Sequence, residues 1–141
     1  MSTKAVTAFL NEQADALMVG DVASIAARFT TPIPVYLNES LMVLGSPAIA
    51  EEALGIMRAG LLAHGVAKQR ARVIASELPR GPMQKVWIDW TYLNSAGALL
   101  GKGRTEYVLR DPGAPERTMF ELIDHVSLAF PDIKRNLPVS R

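Results

Sequence analysis

The chain of 141 residues contains no cysteine. Disulfide bonds, zinc–thiolate sites, iron–sulfur clusters and thiol nucleophiles are therefore excluded. Aromatic side chains make up only 6% of the residues, whereas hydrophobic residues make up 49% and charged residues 21%. These proportions are typical of a globular protein and not of a disordered one. At this length we expect a single domain over residues 1–141, with a polar tail over residues 131–141.

The sequence also lacks a strong excess of charge of either sign. Fifteen basic residues stand against 14 acidic ones, which gives a formal net charge of +1 and argues against nucleic acid as a partner. No apolar run approaches the roughly 20 residues of a membrane helix, and the N-terminus lacks a secretory hydrophobic region. We therefore expect a cytoplasmic, soluble protein that binds neither nucleic acid nor a membrane.

The most basic segment is short. Lys68, Arg70 and Arg72 share one face of a predicted strand, without interleaved aromatic residues. We interpret this face as solvated, or as paired across the sheet with Glu106 or Glu121.

Hydrophobic periodicity predicts three helices in the first half of the chain. Apolar side chains over residues 6–18 recur at the 3–4 spacing of one helical face. Asp21 can cap a short second helix, and residues 33–44 have the composition of a β-hairpin. The third helix is expected to begin after Ser46, a good N-cap, and to end at Gly65. Its expected buried stripe is Ile49, Ala53, Leu54, Met57 and Leu61.

After the third helix the period changes to that of β-strands. Residues 66–78, 83–94, 98–110 and 117–128 are predicted strands, because turn-forming residues separate them. Short connections between long strands are typical of an antiparallel meander. Helices followed by strands indicate an α+β fold, with three N-terminal helices packed on one face of a strongly curved, mainly antiparallel sheet.

Three local features accompany this order of elements: Val86–Trp90 running into Asn94–Gly97, the strand end Tyr107–Arg110, and Leu122–His125. Together they resemble the nuclear transport factor 2-like (NTF2-like) superfamily, also described as SnoaL-like or cystatin-like. The resemblance covers about residues 3–130 and implies a cone-shaped pocket between sheet and helices, often with a homodimer through the sheet. It implies no single reaction, because members include isomerases, dehydratases, cyclases, hydrolases and binding proteins.

Asp124 is the leading candidate for a catalytic residue. Its alternation neighbours Phe120, Leu122 and Val126 are apolar, so we expect its carboxyl group on the core side of the last strand. A carboxyl group in an apolar pocket suits general acid–base catalysis. The alternative is that Asp124 reaches solvent or an arginine near the strand end. His125 should point to the opposite face, and we interpret it as a structural histidine.

Aromatic side chains with a polar tip suit a ligand pocket, because the ring supplies contact area and the tip fixes orientation. Tyr36, on the predicted hairpin, is expected to border the pocket and to donate a hydrogen bond to a carbonyl or hydroxyl group. Such residues are also ordinary core residues of a sheet, which is the alternative interpretation. The other expected ligand-binding residues are Met57, Trp90, Tyr92, Tyr107, Phe120 and Leu122.

Two classes of function remain open. The first is a pocket protein that binds an apolar, oxygenated small molecule, with no reaction assigned. The second is an isomerase, lyase (dehydratase or cyclase) or hydrolase that uses Asp124 and needs no cofactor. The two histidines, His64 and His125, lack metal-ligand spacing, so no metal is expected. Trp87, on the face opposite Trp90, marks a contact surface and predicts a homodimer through the sheet.

Overall fold

The computed structural model describes residues 3–127. The α+β prediction is confirmed, since three helices pack on one six-stranded mixed sheet. The tail predicted for residues 131–141 lies outside the described residues. The elements are α1 (Thr3–Met18), α2 (Val22–Ala26), β1 (Ile33–Leu37), β2 (Ser40–Leu44), α3 (Pro47–Ala63), β3 (Lys68–Ser76), β4 (Met83–Leu93), β5 (Leu99–Arg110), a 3-10 turn (Pro115–Arg117) and β6 (Met119–Ser127).

The helices form where the sequence places their caps and apolar stripes. The Ser46 hydroxyl accepts a hydrogen bond from the Ile49 backbone N–H at 3.3 Å, and Gly65 takes a positive φ of 80° just after α3. The expected burial of Ile49 is wrong, because this residue lies at the edge of the stripe and its side chain is 48% exposed. The buried residues of α3 are Ala50, Ala53, Leu54, Gly60 and Leu61.

The strand order is β2-β1-β6-β5-β4-β3. Strands β3 to β6 form the predicted antiparallel meander. The β1–β2 hairpin extends the same sheet, because β1 pairs with β6 in parallel, with Val35 opposite Ile123. The helices cover one face, here called the inner face, which receives the buried side chains of every second residue of β4: Gln84, Val86, Ile88, Trp90 and Tyr92.

Strand β6 contains a β-bulge. Val108 of β5 pairs with Leu122, but the next residue, Leu109, pairs with Phe120. Glu121 is therefore an extra residue that has no partner of its own in the ladder. A bulge of this kind shifts the alternation of the strand by one residue.

The shift reverses the expected orientation of the residues after the bulge. Phe120 is buried on the inner face, and Ile123 and His125 also line the space beneath the helices. Leu122 and Asp124 alternate with them and lie on the outer face. The expectation that Asp124 shares a face with Phe120 is therefore wrong, because a strict two-residue period does not hold across Glu121.

The bulged carboxylate is held on the outer side by polar partners. The Thr30 hydroxyl donates a hydrogen bond to Glu121, and the Arg110 guanidinium lies 3.6 Å from the other carboxylate oxygen. Because these groups pair with the Glu121 carboxylate on the outer side of the sheet, the bulge places no unpaired charge in the core.

Ion pairs on the outer face differ from those expected. Arg72 and Arg104 both pair with Asp89 on this face, at 3.2 and 3.0 Å, whereas Arg70 pairs around the edge of the sheet with Asp15 of α1 at 2.9 Å. The arginines of β3 are therefore not paired with the glutamates proposed from the sequence. Partial burial of Asp89 acts to raise its pKa, but hydrogen bonds from Arg104 and Arg72 hold that pKa below its usual range.

Phe120 joins the sheet to the helices, and its removal tests the core. Its ring centroid lies 5.4 Å from those of Phe9 and Phe29 and 5.2 Å from that of Tyr107. We expect Phe120→Ala to lower the free energy of unfolding by about 3–5 kcal/mol, because it removes these contacts and leaves a void. Urea denaturation measures the change.

The control is Leu99→Ala, since Leu99 is 55% exposed. We expect this change to alter the free energy of unfolding by no more than about 0.5 kcal/mol. A loss of less than about 1 kcal/mol for Phe120→Ala would contradict the packing described here.

Candidate functional site

A cavity of about 130 Å³ lies between the helices and the inner face of the sheet. All three helices and all six strands contribute side chains to its wall. The wall is apolar over most of its area, and no Asp, Glu, Lys or Arg side chain of residues 3–127 lines it. The lining side chains that carry nitrogen or oxygen are Gln13, Gln69, Trp90, Tyr92, Thr105, Tyr107 and His125.

Five of the side chains expected at the site meet in this cavity: Met57, Trp90, Tyr92, Tyr107 and Phe120. Met57 comes from α3, and the other four come from neighbouring strands of the sheet. The fold therefore gathers these five residues around one space. Their role in holding a ligand stays a prediction.

The other three expected site residues lie elsewhere. Val35 and Leu37 of β1 line the cavity, so Tyr36 between them faces outward. Asp124 pairs in register with Tyr36 and also lies on the outer face, as does Leu122. The expected orientation of these side chains toward the pocket is wrong, because alternation in β1 and the bulge in β6 turn them away.

His125 takes the place in the cavity that the sequence assigned to Asp124. It pairs with Thr105 of β5, and its Nδ1 lies 2.6 Å from the Thr105 hydroxyl oxygen. Burial lowers the pKa of His125 to about 4. The imidazole is therefore neutral at pH 7, with one ring nitrogen as donor and the other as acceptor.

A second polar pair lies beside the first. The Trp90 indole N–H donates a hydrogen bond to the Tyr107 hydroxyl oxygen at 3.2 Å. Burial raises the pKa of Tyr107 to about 12, although hydrogen bonds from Trp90 and Thr105 oppose the rise. The two pairs, Trp90 with Tyr107 and Thr105 with His125, lie side by side and form one row of polar side chains inside an apolar wall.

Gly103 has no side chain, and the Tyr92 hydroxyl and the His125 ring occupy the space above it at one end of this row. A Cβ atom at this position would lie 2.8 Å from the Tyr92 hydroxyl oxygen and 2.8 Å from His125 Cε1, closer than any normal contact. Burial also raises the pKa of Tyr92, so its hydroxyl stays protonated. Glycine is therefore required here by close approach of side chains and not by an unusual φ.

Two glutamines add neutral polar groups to the wall. Gln69 is 3% exposed, and its amide nitrogen lies 3.6 Å from the Met18 sulfur. The buried Oε1 of Gln13 has no hydrogen-bond partner within the described part of the chain. A buried acceptor without a partner is costly, so a ligand or a water molecule that donates a hydrogen bond to it stabilises the site.

Sequence reasoning missed Thr105 and the two glutamines as cavity residues, and it missed Gly103 as the position that Tyr92 and His125 cover. It interpreted His125 as structural. The alternation of β5 does place Gly103, Thr105 and Tyr107 on one face, which was the available signal. His125 carried no such signal, because its side depends on the bulge.

Within residues 3–127, the His, Asp and Glu side chains form no group of three that could hold a metal ion. No helix in this range is long and apolar enough to cross a membrane.

Comparison with known proteins identifies the fold. No family model and no curated protein sequence matches the chain. Solved structures do match, with a probability of 1.00. A domain of unknown function with a cystatin-like fold from Nostoc punctiforme is 13% identical with a TM-score of 0.64, over 89% of this chain and 76% of that one.

Two further structures agree. An NTF2-like protein with a cystatin-like fold from Novosphingobium aromaticivorans is 9% identical with a TM-score of 0.63, over 96% of this chain and 87% of that one. An NTF2-like protein of unknown function from Shewanella oneidensis is 12% identical with a TM-score of 0.64, over 89% and 99%. The chain therefore has the NTF2-like, cystatin-like fold, which confirms the fold implied by the resemblance noted in its sequence.

The pKa of His125 predicts sensitivity to acid. Between pH 6.5 and about 4 the unfolded chain binds a proton at His125 that the folded chain does not. Stability should therefore fall as the pH is lowered through this range, with this residue contributing up to about 1.4 kcal/mol per pH unit. His125→Gln should flatten the dependence, as measured by urea denaturation at several pH values.

The matched control is His64→Gln, which changes the other histidine of the described residues, a half-buried side chain after α3. Comparing the two variants separates the loss of the His125 imidazole from the loss of an imidazole elsewhere in the chain. Equal slopes for wild type and His125→Gln would show that His125 is not buried as described.

Proposed function

We propose that this protein binds a small, mainly apolar molecule in the cavity between the helices and the inner face of the sheet. The observation that carries the proposal is an apolar cavity that contains neutral hydrogen-bonding groups and no ionised side chain among its described lining residues. Ligand sites are commonly concave and apolar, with a few polar groups that fix orientation. The unpaired Gln13 oxygen supports the proposal, because a bound hydrogen-bond donor would satisfy it.

Binding fits this wall better than acid–base catalysis by an isomerase, lyase or hydrolase. General acid–base catalysis is most efficient when the pKa of the catalytic group lies near the working pH. Burial moves the pKa of His125 down to about 4 and that of Tyr107 up to about 12, both far from neutrality. Asp124, the residue expected to perform acid–base catalysis, faces away from the cavity.

Filling the cavity tests this function. Ala53 of α3 lines the cavity and is 8% exposed. We expect wild-type protein to bind toluene saturably, and we expect Ala53→Phe to weaken that binding at least tenfold, which corresponds to about 1.4 kcal/mol. The added ring takes the volume that toluene needs. Titration followed by NMR chemical shifts gives both affinities.

Ala59→Phe is the control, because Ala59 lies on the exposed side of the same helix. It should leave toluene binding unchanged. Equal binding of toluene to wild-type protein and to Ala53→Phe would refute the proposed site.

We also propose that two copies of the chain associate through the outer face of the sheet. Leu41 and Val43 of β2 are 46% and 56% exposed, and Val126 of β6 is 39% exposed. Tyr36 of β1, which lies between β2 and β6, and Trp87 of β4 are half-buried on the same face. An apolar surface of this kind on a broad sheet suits a second protein surface.

The charges on the outer face suit a second copy of the same chain. Glu106 and Asp124 are adjacent across β5 and β6, whereas Arg72 and Arg104 lie further along the sheet, around Asp89. A two-fold arrangement can place the acidic pair of one copy against the basic pair of the other, since such an interface is self-complementary.

Light scattering tests the association. The chain mass is 15.3 kDa, so a dimer has about twice that mass. Val43→Glu should shift the protein toward monomer, because the dimer would bury a carboxylate on each copy. Leu62→Glu is the control, since Leu62 is 45% exposed on α3, away from the sheet. A wild-type mass of one chain at every concentration would contradict the dimer.

A further inference from the structure

We propose that the ligand is an uncharged, single-ring molecule with one hydroxyl or carbonyl oxygen, and that this oxygen binds at the Tyr92 hydroxyl and the His125 imidazole, the two polar groups that cover Gly103. This inference rests on the proposed function and specifies the ligand of the same cavity. The three residues are called the polar end of the cavity below.

The charge of the ligand is inferred from the charges of the side chains that line the cavity. No Asp, Glu, Lys or Arg among the described residues lines the cavity, and His125 is neutral at pH 7. A carboxylate or an ammonium ion placed inside would lose its hydration and gain no opposite charge, which is strongly unfavourable. The wall therefore selects against ions of both signs and accepts uncharged molecules.

The size of the ligand follows from the volume. The cavity measures about 130 Å³. An engineered apolar cavity of about 150 Å³ in another protein binds benzene. One six-membered ring with a small substituent therefore fills the space, whereas a fused-ring system would require the wall to move.

The position of the ligand oxygen is inferred from the hydrogen-bonding groups at the polar end of the cavity. The Tyr92 hydroxyl and the edge of the His125 ring lie close together in the cavity wall, since each is 2.8 Å from one point above Gly103, and together they cover that glycine. His125 Nδ1 is occupied by the Thr105 hydroxyl, which directs ligand binding to Nε2. A ligand oxygen that reaches these groups keeps hydrogen bonds that it would otherwise lose on leaving water.

The tautomer of His125 explains why either kind of oxygen fits. When Nδ1–H donates to the Thr105 oxygen, Nε2 is an acceptor and matches a ligand hydroxyl. When the Thr105 hydroxyl donates to Nδ1, Nε2–H is a donor and matches a ligand carbonyl. Thr105 can take both roles because a hydroxyl group carries one hydrogen and two acceptor lone pairs and can rotate.

The test compares five probes of similar size at pH 7: toluene, phenol, cyclohexanone, benzoate and benzylamine. Their affinities are measured by NMR titration of the full chain. We expect phenol and cyclohexanone to bind at least fivefold more tightly than toluene. We expect benzoate and benzylamine to bind at least tenfold more weakly than phenol, because they are charged at this pH.

Two variants locate the oxygen. Gly103→Ala places a methyl group at the polar end and should remove the preference for phenol over toluene. Tyr92→Phe removes only the hydroxyl group and should reduce the preference to twofold or less. It replaces Gly103→Ala as the test if the added methyl group prevents folding. Tyr36→Phe is the matched control on the outer face and should leave the preference unchanged.

The outcomes separate the two proposals. If none of the five probes binds saturably, the cavity is not a ligand site and the proposed function fails. If toluene binds but phenol and cyclohexanone bind no more tightly, the site stands and the oxygen position is refuted. Tighter binding of benzoate or benzylamine would refute the uncharged ligand, and an unchanged preference in Tyr92→Phe would refute the polar end.

Discussion

The β-bulge at Glu121 determines which chemistry the cavity contains. With one extra residue in β6, Ile123 and His125 face the helices, and Asp124 faces outward. The carboxylate of Glu121 is satisfied by Thr30 and Arg110 on the outer side, so the bulge brings no charge into the core. A regular strand would exchange a neutral imidazole for a carboxylate, and the site would then have a different preference for ligands.

The cavity wall that results contains several polar groups but no charged side chain among its described residues. Trp90 and Tyr107 form one hydrogen-bonded pair and Thr105 and His125 form another, so that a row of polar groups lies in a wall of mainly aliphatic and aromatic side chains. Burial favours the neutral form of every titratable group in that row, raising the pKa of the tyrosine and lowering that of the histidine. The same desolvation that stabilises the neutral forms makes the cavity unsuited to ions.

Charge is instead concentrated on the outer face. There Asp89 holds two arginines, and Asp124 and Glu106 lie side by side next to exposed apolar residues of the hairpin and β6. The sheet thus separates two environments by the two-residue alternation of its strands. Its inner face encloses a small molecule in our proposal, and its outer face receives a second copy.

The sequence by itself determined the order of elements, the helix caps at Ser46 and Gly65, the meander and the α+β class, because these follow from local periodicity and turn chemistry. It also put Trp90 and Tyr92 on one face of their strand, because that strand keeps a regular alternation. Which face of the sheet lines the cavity was decided by the packing of the helices. Only the tertiary structure decided the side of Asp124 and His125. A bulge arises from pairing with a neighbouring strand, and the local sequence does not indicate which residue will have no partner in that pairing.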